Sequence, residues 1–122
     1  AVDTLRYLHM GGRIGGASVL LGTALDIKPI LELTNGKIEP AGKVRSMKRA
    51  IPKLVDMLVD QFGEGARVKA ATIGAACPDV AQALAGRLQE RFDCVELYVS
   101  DLSPVIGTHV GPGTIGALAF PA

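Results

Sequence analysis

Apolar residues recur at helical spacing at the start of the chain. Val2, Leu5 and Leu8 lie three residues apart, which predicts a first helix over residues 2–8. The pair Gly11-Gly12 follows and is expected to end that helix. A second apolar stripe predicts a helix over residues 17–25, and its members are Ala17, Leu20, Leu21, Ala24 and Leu25. We expect the apolar faces of both helices to stay uncovered unless another chain or domain packs on them.

The next segment has the pattern of a β-hairpin. Residues 30–34 form a short strand that runs into Asn35-Gly36, the strongest short hairpin signal, and residues 37–39 return. Pro40-Ala41-Gly42 then predicts a second turn, in which Gly42 is free to take a positive φ. Residues 43–45 follow that turn.

A third helix is predicted after this β-region. Ser46 is a candidate N-cap, because its hydroxyl can accept a hydrogen bond from a free helical N–H. The apolar stripe of the helix consists of Leu54, Val55, Leu58, Val59 and Phe62. Pro52 disfavours helix at Ile51 and lacks a donor, so the helix either kinks there or begins at Pro52.

The second half of the chain alternates strand and helix patterns. Residues 68–73 predict a buried strand, and Pro78 is a favourable first residue for a helix. The apolar face of that helix consists of Ala81, Leu84, Ala85, Leu88 and Phe92. A half-buried strand is predicted where Val95, Leu97 and Val99 alternate with Glu96 and Tyr98, and residues 117–120 form a last short strand. These elements predict an α/β fold with helices packed on a mixed sheet of about five to six strands.

Composition and charge narrow the class of protein. The chain has 122 residues, which fits one domain over 1–122, and its 48% apolar but only 4% aromatic content predicts an aliphatic core. A net charge of +1 gives little support for a nucleic-acid partner. No apolar run is long enough to span a membrane, and no secretory signal is visible. Cys77 and Cys94 lack ligand spacing, so we expect no metal site and a reducing, cytoplasmic location.

Two glycine-rich segments, residues 11–16 and 107–116, are the candidates for ligand binding. Arg13 lies in the first, and Gly107, Thr108 and His109 open the second. Glycine lets backbone N–H groups approach a ligand, and the arginine fork matches a carboxylate or a phosphate. Glycine clusters are also ordinary turns, and that interpretation remains open here. The letters GxGxxG occur at 111–116, but a strand-like segment follows them instead of the helix that dinucleotide binding requires.

Two further features have a structural and a functional interpretation. The only basic cluster is either a solvated face or a docking site for an acidic protein, with at most peripheral contact to an anionic membrane surface. Its members are Lys43, Arg45, Lys48, Arg49 and Lys53. Cys77 precedes the helix at Pro78, where its pKa could be lowered, but no histidine lies nearby in sequence to act as a base. We therefore expect Cys77 to be a buried structural thiol.

Four stretches of the chain, in this order, resemble the C-terminal domain of the DegV family. They are LRYLHMGGRI at 5–14, the segment from Leu20-Leu21-Gly22 to Ile27-Lys28-Pro29-Ile30-Leu31, the segment from Asn35-Gly36-Lys37-Ile38 to Lys43-Val44-Arg45-Ser46, and SPVIGTHVGPG at 103–113. Each stretch alone is of modest specificity. Together they cover nearly the whole chain, which makes the resemblance specific.

The resemblance implies a carrier and not an enzyme, with no cofactor and no catalytic residue. Such proteins bury a long-chain fatty acid whose carboxylate lies near the boundary of two α/β domains, and they present it to a fatty acid kinase in phospholipid synthesis. Arg13 matches the family's GGR motif and His109 its GTH motif, with Gly107 and Thr108 beside it. We expect the acyl tail to be lined by Leu5, Ile14, Leu20 and Leu21. Arg45 matches a partner-contact arginine, so Lys43, Arg45 and Arg49 are the expected docking residues.

This sequence departs from the family pattern in two ways. Members are about twice as long, and their N-terminal domain, which supplies hydroxyl donors to the carboxylate, has no counterpart in this chain. The strand that ends at 73–76 lacks the histidine and the acidic residue that relatives often carry. The main alternative is a phosphate-handling enzyme domain that uses the loop 107–116 as an anion site. A nucleic-acid-binding regulator is a third, weaker alternative.

Overall fold

The computed structural model describes residues 1–20, 27–102 and 110–122. Within these ranges the chain forms three α-helices, one 3-10 helix and five strands. In chain order they are α1 (Arg6–Met10), the 3-10 helix (Gly15–Leu20), β1 (Lys28–Thr34), β2 (Lys37–Val44), α2 (Met47–Phe62), β3 (Arg67–Gly74), α3 (Pro78–Arg91), β4 (Asp93–Asp101) and β5 (Ile115–Pro121). None of the helices in these ranges has the length and apolar content that a membrane span requires.

The five strands divide between two sheets. One has three strands in the order β4-β3-β5, with β3 parallel to β4 and antiparallel to β5. The other is the antiparallel hairpin of β1 and β2. The predicted α/β class with a mixed sheet is therefore confirmed, and the hairpin forms a second, separate sheet.

The hairpin turn forms where the sequence predicted it, but the second turn does not. Asn35 and Gly36 have φ values of 53° and 77°, the positive angles that a two-residue hairpin turn needs. Beyond them β2 continues without a break to Val44. Ile30 pairs with Gly42 and Leu31 with Pro40, so Ala41 is an extra residue in β2. The predicted turn at 40–42 is wrong because these residues form a β-bulge, and Gly42 does not take a positive φ.

Helix α2 begins at its predicted cap. The Oγ of Ser46 accepts a hydrogen bond from the Arg49 N–H at 3.3 Å. The helix then runs through Pro52, whose side chain is exposed, and ends at Phe62. The alternative in which the helix begins at Pro52 is therefore wrong.

The main core lies between helices α2 and α3 and one face of the three-stranded sheet. Its buried members are Val55, Val68, Ala70, Leu84, Leu88 and Phe92. Helix α3 begins at Pro78, and its predicted apolar face is buried, as expected from the helical spacing. The Thr72 hydroxyl on β3 donates to the Ala81 carbonyl of α3 at 2.8 Å, which satisfies a buried polar group at this interface.

Strand β4 has the predicted position, but of its predicted buried face only Leu97 packs against the core. Val68 pairs with Cys94 and Lys69 with Glu96, so Val95 is an extra residue. Because of this bulge, the positions of β4 that face the core change from even-numbered to odd-numbered residues. Cys94 and Leu97 contact the core, whereas Val95 is 46% exposed. The prediction that Val95 and Val99 are buried is wrong, since Val99 on this edge strand is 40% exposed.

The N-terminal segment is less helical than its apolar spacing suggests. Helix α1 starts at Arg6, because Val2 is held in an extended segment by donating its N–H to the Pro29 carbonyl. Gly12, at φ 71°, ends the helix, where the Arg13 N–H donates to the Leu8 carbonyl at 2.9 Å. Of the predicted helix 17–25, residues 17–20 belong to the 3-10 helix, and 21–26 lie outside the described residues.

Candidate functional site

Arg13 lies beside a cavity of about 380 Å³. The end of α1 positions this residue, and one of its guanidinium nitrogens, Nη1, donates to the Gly11 carbonyl at 2.6 Å. Among the described residues Arg13 has no carboxylate partner within salt-bridge distance. The guanidinium carries five N–H donors, so most of them are free to bind an anion.

The walls of this cavity are mostly aliphatic. They are formed by Val2, Leu8, Leu31, Leu33, Ile38, Ile73, Leu102, Val110 and Ile115. Glu32 and Thr114 are the polar side chains beside Arg13 in the described part of the lining. A volume of about 380 Å³ lies in the range that small-molecule sites occupy. The cavity thus combines an apolar interior with a cationic side chain.

The second glycine-rich segment reaches the same cavity. Val110, Thr114 and Gly116 line it together with Arg13. Gly111 has a φ of 87°, and a Cβ there would lie 2.5 Å from the Cδ2 atom of Tyr7, so only glycine allows this segment to pack against α1. Gly107, Thr108 and His109 lie outside the described residues, and Val110 directly follows His109 in sequence.

The residues predicted to line an acyl tail lie next to the cavity. Leu5, Ile14 and Leu20 pack in one hydrophobic cluster with Leu8, Leu31, Ile38 and Val110, which do line it. Leu21 lies outside the described residues. The tail-lining assignment therefore stays a prediction. Sequence reasoning missed the hairpin residues Leu31 and Leu33, although their alternation with Glu32 placed them on one face of a strand.

A second cavity of about 450 Å³ continues the first one. It lies between β1 and β5, and both cavities are lined by Leu31, Glu32, Leu33, Ile73 and Gly116. On the helix side its lining comes from Leu54, Met57, Leu58 and Gln61 of α2. The two cavities together form one cleft between the hairpin and the three-stranded sheet.

The basic cluster forms an exposed patch where β2 leads into α2. We call Lys43, Arg45, Lys48, Arg49 and Lys53 the basic patch, and all five side chains are exposed. Within the described ranges none of them forms an ion pair. Lys48 and Arg49 lie in the first turn of α2, where no acidic residue offsets the positive end of the helix dipole. The patch therefore attracts anionic groups, and its role in docking stays a prediction.

The described residues show no arrangement suited to nucleophilic or metal chemistry. Burial raises the pKa of the Cys77 thiol, which donates to the Thr114 carbonyl at 3.7 Å, and burial likewise raises the pKa of Cys94. In ranges 1–20, 27–102 and 110–122 no three histidine, cysteine or acidic residues are grouped as metal ligands. Arg91 binds Glu64 and Asp56, and this hydrogen bonding lowers the pKa of Glu64. That cluster joins α3 to α2 and to the turn after it.

Two backbone donors of the second glycine-rich segment are already engaged within the fold. The Gly113 N–H donates to the Ala75 carbonyl at 2.8 Å, and the Ile115 N–H donates to the Ala1 carbonyl at 3.0 Å. The Thr114 hydroxyl donates to the Val110 carbonyl at 3.1 Å. The segment 111–116 leads into β5 and not into a helix. These two N–H groups are therefore not available to a phosphate.

Residues 1–122 match the family model described as "Uncharacterised protein, DegV family". A DegV domain-containing protein of Streptomyces coelicolor is 48% identical over 118 residues, which are 96% of this chain and 42% of that protein. The chain thus spans about two fifths of the length of this relative.

Solved structures with the same fold include two that are described as fatty acid binding. A DegV family protein from Thermus thermophilus matches with a TM-score of 0.91 at 35% identity, over 99% of this chain and 44% of that one. DegV from Bacillus subtilis, described as a fatty acid binding protein, matches with a TM-score of 0.79 at 36% identity, over 97% and 42% of the two chains.

Proposed function

The chain belongs to the DegV family, and from that premise we propose that it binds a long-chain fatty acid in the cavity beside Arg13. The observation that carries the proposal is an aliphatic cavity with a single cationic side chain in the described part of its lining. Related proteins described as fatty acid binding share the fold at 35% and 36% identity. We propose that His109, with Gly107 and Thr108, completes the polar end of the site.

The acyl tail and the carboxylate of such a ligand contribute differently to the free energy of binding. Each buried methylene contributes roughly 0.8 kcal/mol, so a tail of about 16 carbons gains on the order of 10 kcal/mol before association entropy is subtracted. A carboxylate buried without a partner costs several kcal/mol. The Arg13 guanidinium offsets that cost with charge-assisted hydrogen bonds. Arg13 therefore selects for an acidic head group, while the cavity walls supply the affinity.

The relatives' length suggests that this domain holds part of a larger site. We propose that residues 1–122 are the C-terminal lipid-binding domain of a two-domain protein and that an N-terminal domain supplies further donors to the carboxylate. The chain covers 42% of the Streptomyces coelicolor relative, which leaves room for such a domain. Exposure of Leu33, Leu118 and Phe120 is consistent with surfaces that a second domain covers.

The carrier role rests on the basic patch. We propose that the bound acid is presented to a cytoplasmic fatty acid kinase and that Arg45, Lys43 and Arg49 contact an acidic surface of that enzyme. Exposed cations at a helix N-terminus, without ion pairs in the described ranges, support a docking role, because they increase the rate at which an acidic partner is encountered. In this proposal the chain performs no chemistry itself and needs no cofactor.

Native mass spectrometry of the protein as its gene encodes it tests the binding proposal. We expect a co-purifying fatty acid, and we expect the Arg13→Ala and His109→Ala variants to retain less of it while remaining folded. The Arg67→Ala variant is the control, since Arg67 is exposed, pairs with Asp93 and does not line the cavity. Leu33→Asp and Met10→Asp form a matched pair, because their side chains are 77% and 76% exposed but only Leu33 lines the cavity. The proposed site would be refuted if no bound fatty acid were found. It would also be refuted if Leu33→Asp and Met10→Asp reduced the retained fatty acid equally, or if Arg67→Ala reduced it as much as Arg13→Ala.

A further inference from the structure

Within the described ranges, strands β1 and β5 each present an unpaired edge to the cleft between them. Strand β5 pairs with β3 on one side, and β1 pairs with β2 on one side. Hydrogen-bonding direction alternates along a strand, so Ala117 and Ala119 direct their N–H and C=O groups to the same side as Ile115, away from β3. By the same alternation Leu31 and Leu33 direct theirs to the side of the Pro29 carbonyl, away from β2.

At one end of the cleft, the first two residues already bridge the two edges. The Ala1 nitrogen donates to the Ile115 carbonyl at 2.7 Å, and the Ile115 N–H donates back to the Ala1 carbonyl at 3.0 Å. This reciprocal pair is the pattern of antiparallel neighbours. On the other side the Val2 N–H donates to the Pro29 carbonyl at 3.1 Å, and Pro29 has no N–H to return. Ala1 and Val2 therefore lie between β5 and β1 with strand-like bonds to both.

From this geometry we infer that the cleft is a slot for one more strand, formed by the residues that precede Ala1 in the longer polypeptide. The strand runs antiparallel to β5 and to β1 and joins the two sheets into one mixed sheet, in the order β2-β1-new strand-β5-β3-β4. The register follows from the Ala1–Ile115 pair. The residue two before Ala1 lies opposite Ala117, and the residue directly before Ala1 lies opposite Leu31. This inference rests on the two-domain proposal but not on any ligand.

Burial in the cleft agrees with that register. Ala1, Ile30 and Ile115 fall in one row across the joined sheet, and all three belong to the same buried cluster beneath α2. In the next row Leu31 and Ile73 face the other side, where both line the cavity beside Arg13. The inserted strand therefore has apolar residues on both faces, one set on Leu54, Met57 and Leu58 of α2 and the other forming the floor of the cavity.

Amide hydrogen exchange in the protein as its gene encodes it tests the slot. We expect the amides of Leu31, Leu33, Ala117 and Ala119 to be strongly protected, because the inserted strand accepts their hydrogen bonds. The amides of Leu118 and Phe120 are the matched control, since they bond to β3 whether or not a strand is inserted. Rapid exchange at Ala117 and Ala119 beside protected Leu118 and Phe120 would overturn the inference, as would a gene with no codons upstream of Ala1.

A disulfide test measures the separation of the two strands. With a strand between them, the Cα atoms of Leu33 and Leu118 lie about 9 to 10 Å apart, beyond the roughly 7 Å limit for a disulfide. We therefore expect no disulfide in the Leu33→Cys/Leu118→Cys variant under mild oxidation. The Ala71→Cys/Leu118→Cys variant is the positive control, because these residues are direct partners on β3 and β5. If the Leu33→Cys/Leu118→Cys variant instead formed its disulfide with the yield of the control, β1 and β5 would have to pair directly, and the slot would be refuted. The outcomes of the hydrogen-exchange and disulfide tests do not depend on whether the protein binds a fatty acid.

Discussion

When residues 1–122 are produced as an isolated domain, Ala1 carries a free amino group, and burial of that group should make the stability of the isolated domain depend on pH. Ala1 is only 9% exposed, and its nitrogen donates to the Ile115 carbonyl at 2.7 Å. Burial lowers the pKa of this amine from 8.0 to about 6, because an ammonium ion loses hydration in the fold. The uncharged amine makes the same hydrogen bond without that loss.

The sign of the effect follows from proton counting. Between pH 6 and pH 8 the unfolded chain binds more protons at this amine than the folded chain does, so the free energy of unfolding rises with pH. The stability is fully present above pH 8 and is lost as the pH falls through about 6. A change of two pKa units corresponds to about 3 kcal/mol. That is a large fraction of the stability of a small domain.

Urea unfolding of the free and the N-acetylated chain isolates this effect. Acetylation replaces the titrating amine with an amide N–H and leaves every carboxylate, histidine and cysteine unchanged. We expect the free chain to lose about 2.4 kcal/mol more than the acetylated chain between about pH 8.5 and pH 5.5. Equal pH dependence in the two chains, or greater stability of the free chain at the lower pH, would refute the reasoning. The acetyl group also mimics the first carbonyl of a preceding residue, so its tolerance is a minimal check of the slot.

Three other predictions concern the core, the basic patch and the thiols. Leu88→Ala removes a fully buried side chain and should cost about 2 to 5 kcal/mol in chemical unfolding, whereas Gln89→Ala at the exposed neighbouring position should cost less than about 0.5 kcal/mol. Arg45→Glu should weaken kinase binding severalfold at low salt and leave fatty acid retention unchanged, with Arg67→Glu as the control for net charge; equal effects of the two would contradict docking at the patch. The raised pKa of Cys77 and Cys94 predicts alkylation by iodoacetamide near pH 7.5 that is slower than for a free cysteine, and faster alkylation would show an activated thiol.

Local rules predicted the elements that depend on local chemistry. The Asn35-Gly36 turn, the Ser46 cap and Pro78 at the start of α3 were confirmed because each satisfies a requirement within a few residues of itself. The errors fall where tertiary pairing overrides local pattern. The bulges at Ala41 and Val95 depend on register against a partner strand, and that register is not encoded in the spacing of one strand.

In the candidate site, too, local pattern predicted some features, whereas others depend on tertiary packing. The glycine-rich segment that carries Arg13 does lie at a cavity, together with Val110 and Thr114 from the second segment. Gly15 of this segment has a packing role, since a Cβ there would lie 2.7 Å from the Ile38 carbonyl oxygen of β2. The hairpin contribution of Leu31, Leu33 and Ile38 depends on how β1 and β2 fold back over α1. The spacing of apolar residues within a single segment does not predict that arrangement.

The strand slot connects the predicted sheet with the proposed ligand site. Five strands form in two sheets within the described residues, and one inserted strand would give a single mixed sheet of six. Without that strand, the cavity beside Arg13 opens between β1 and β5 into the second cavity, where an apolar tail would contact backbone N–H and C=O groups. Pairing those groups leaves an aliphatic floor for the tail, because unpaired backbone polar groups are unfavourable neighbours for hydrocarbon. High affinity for a fatty acid should therefore require the residues before Ala1 even if they never touch the carboxylate.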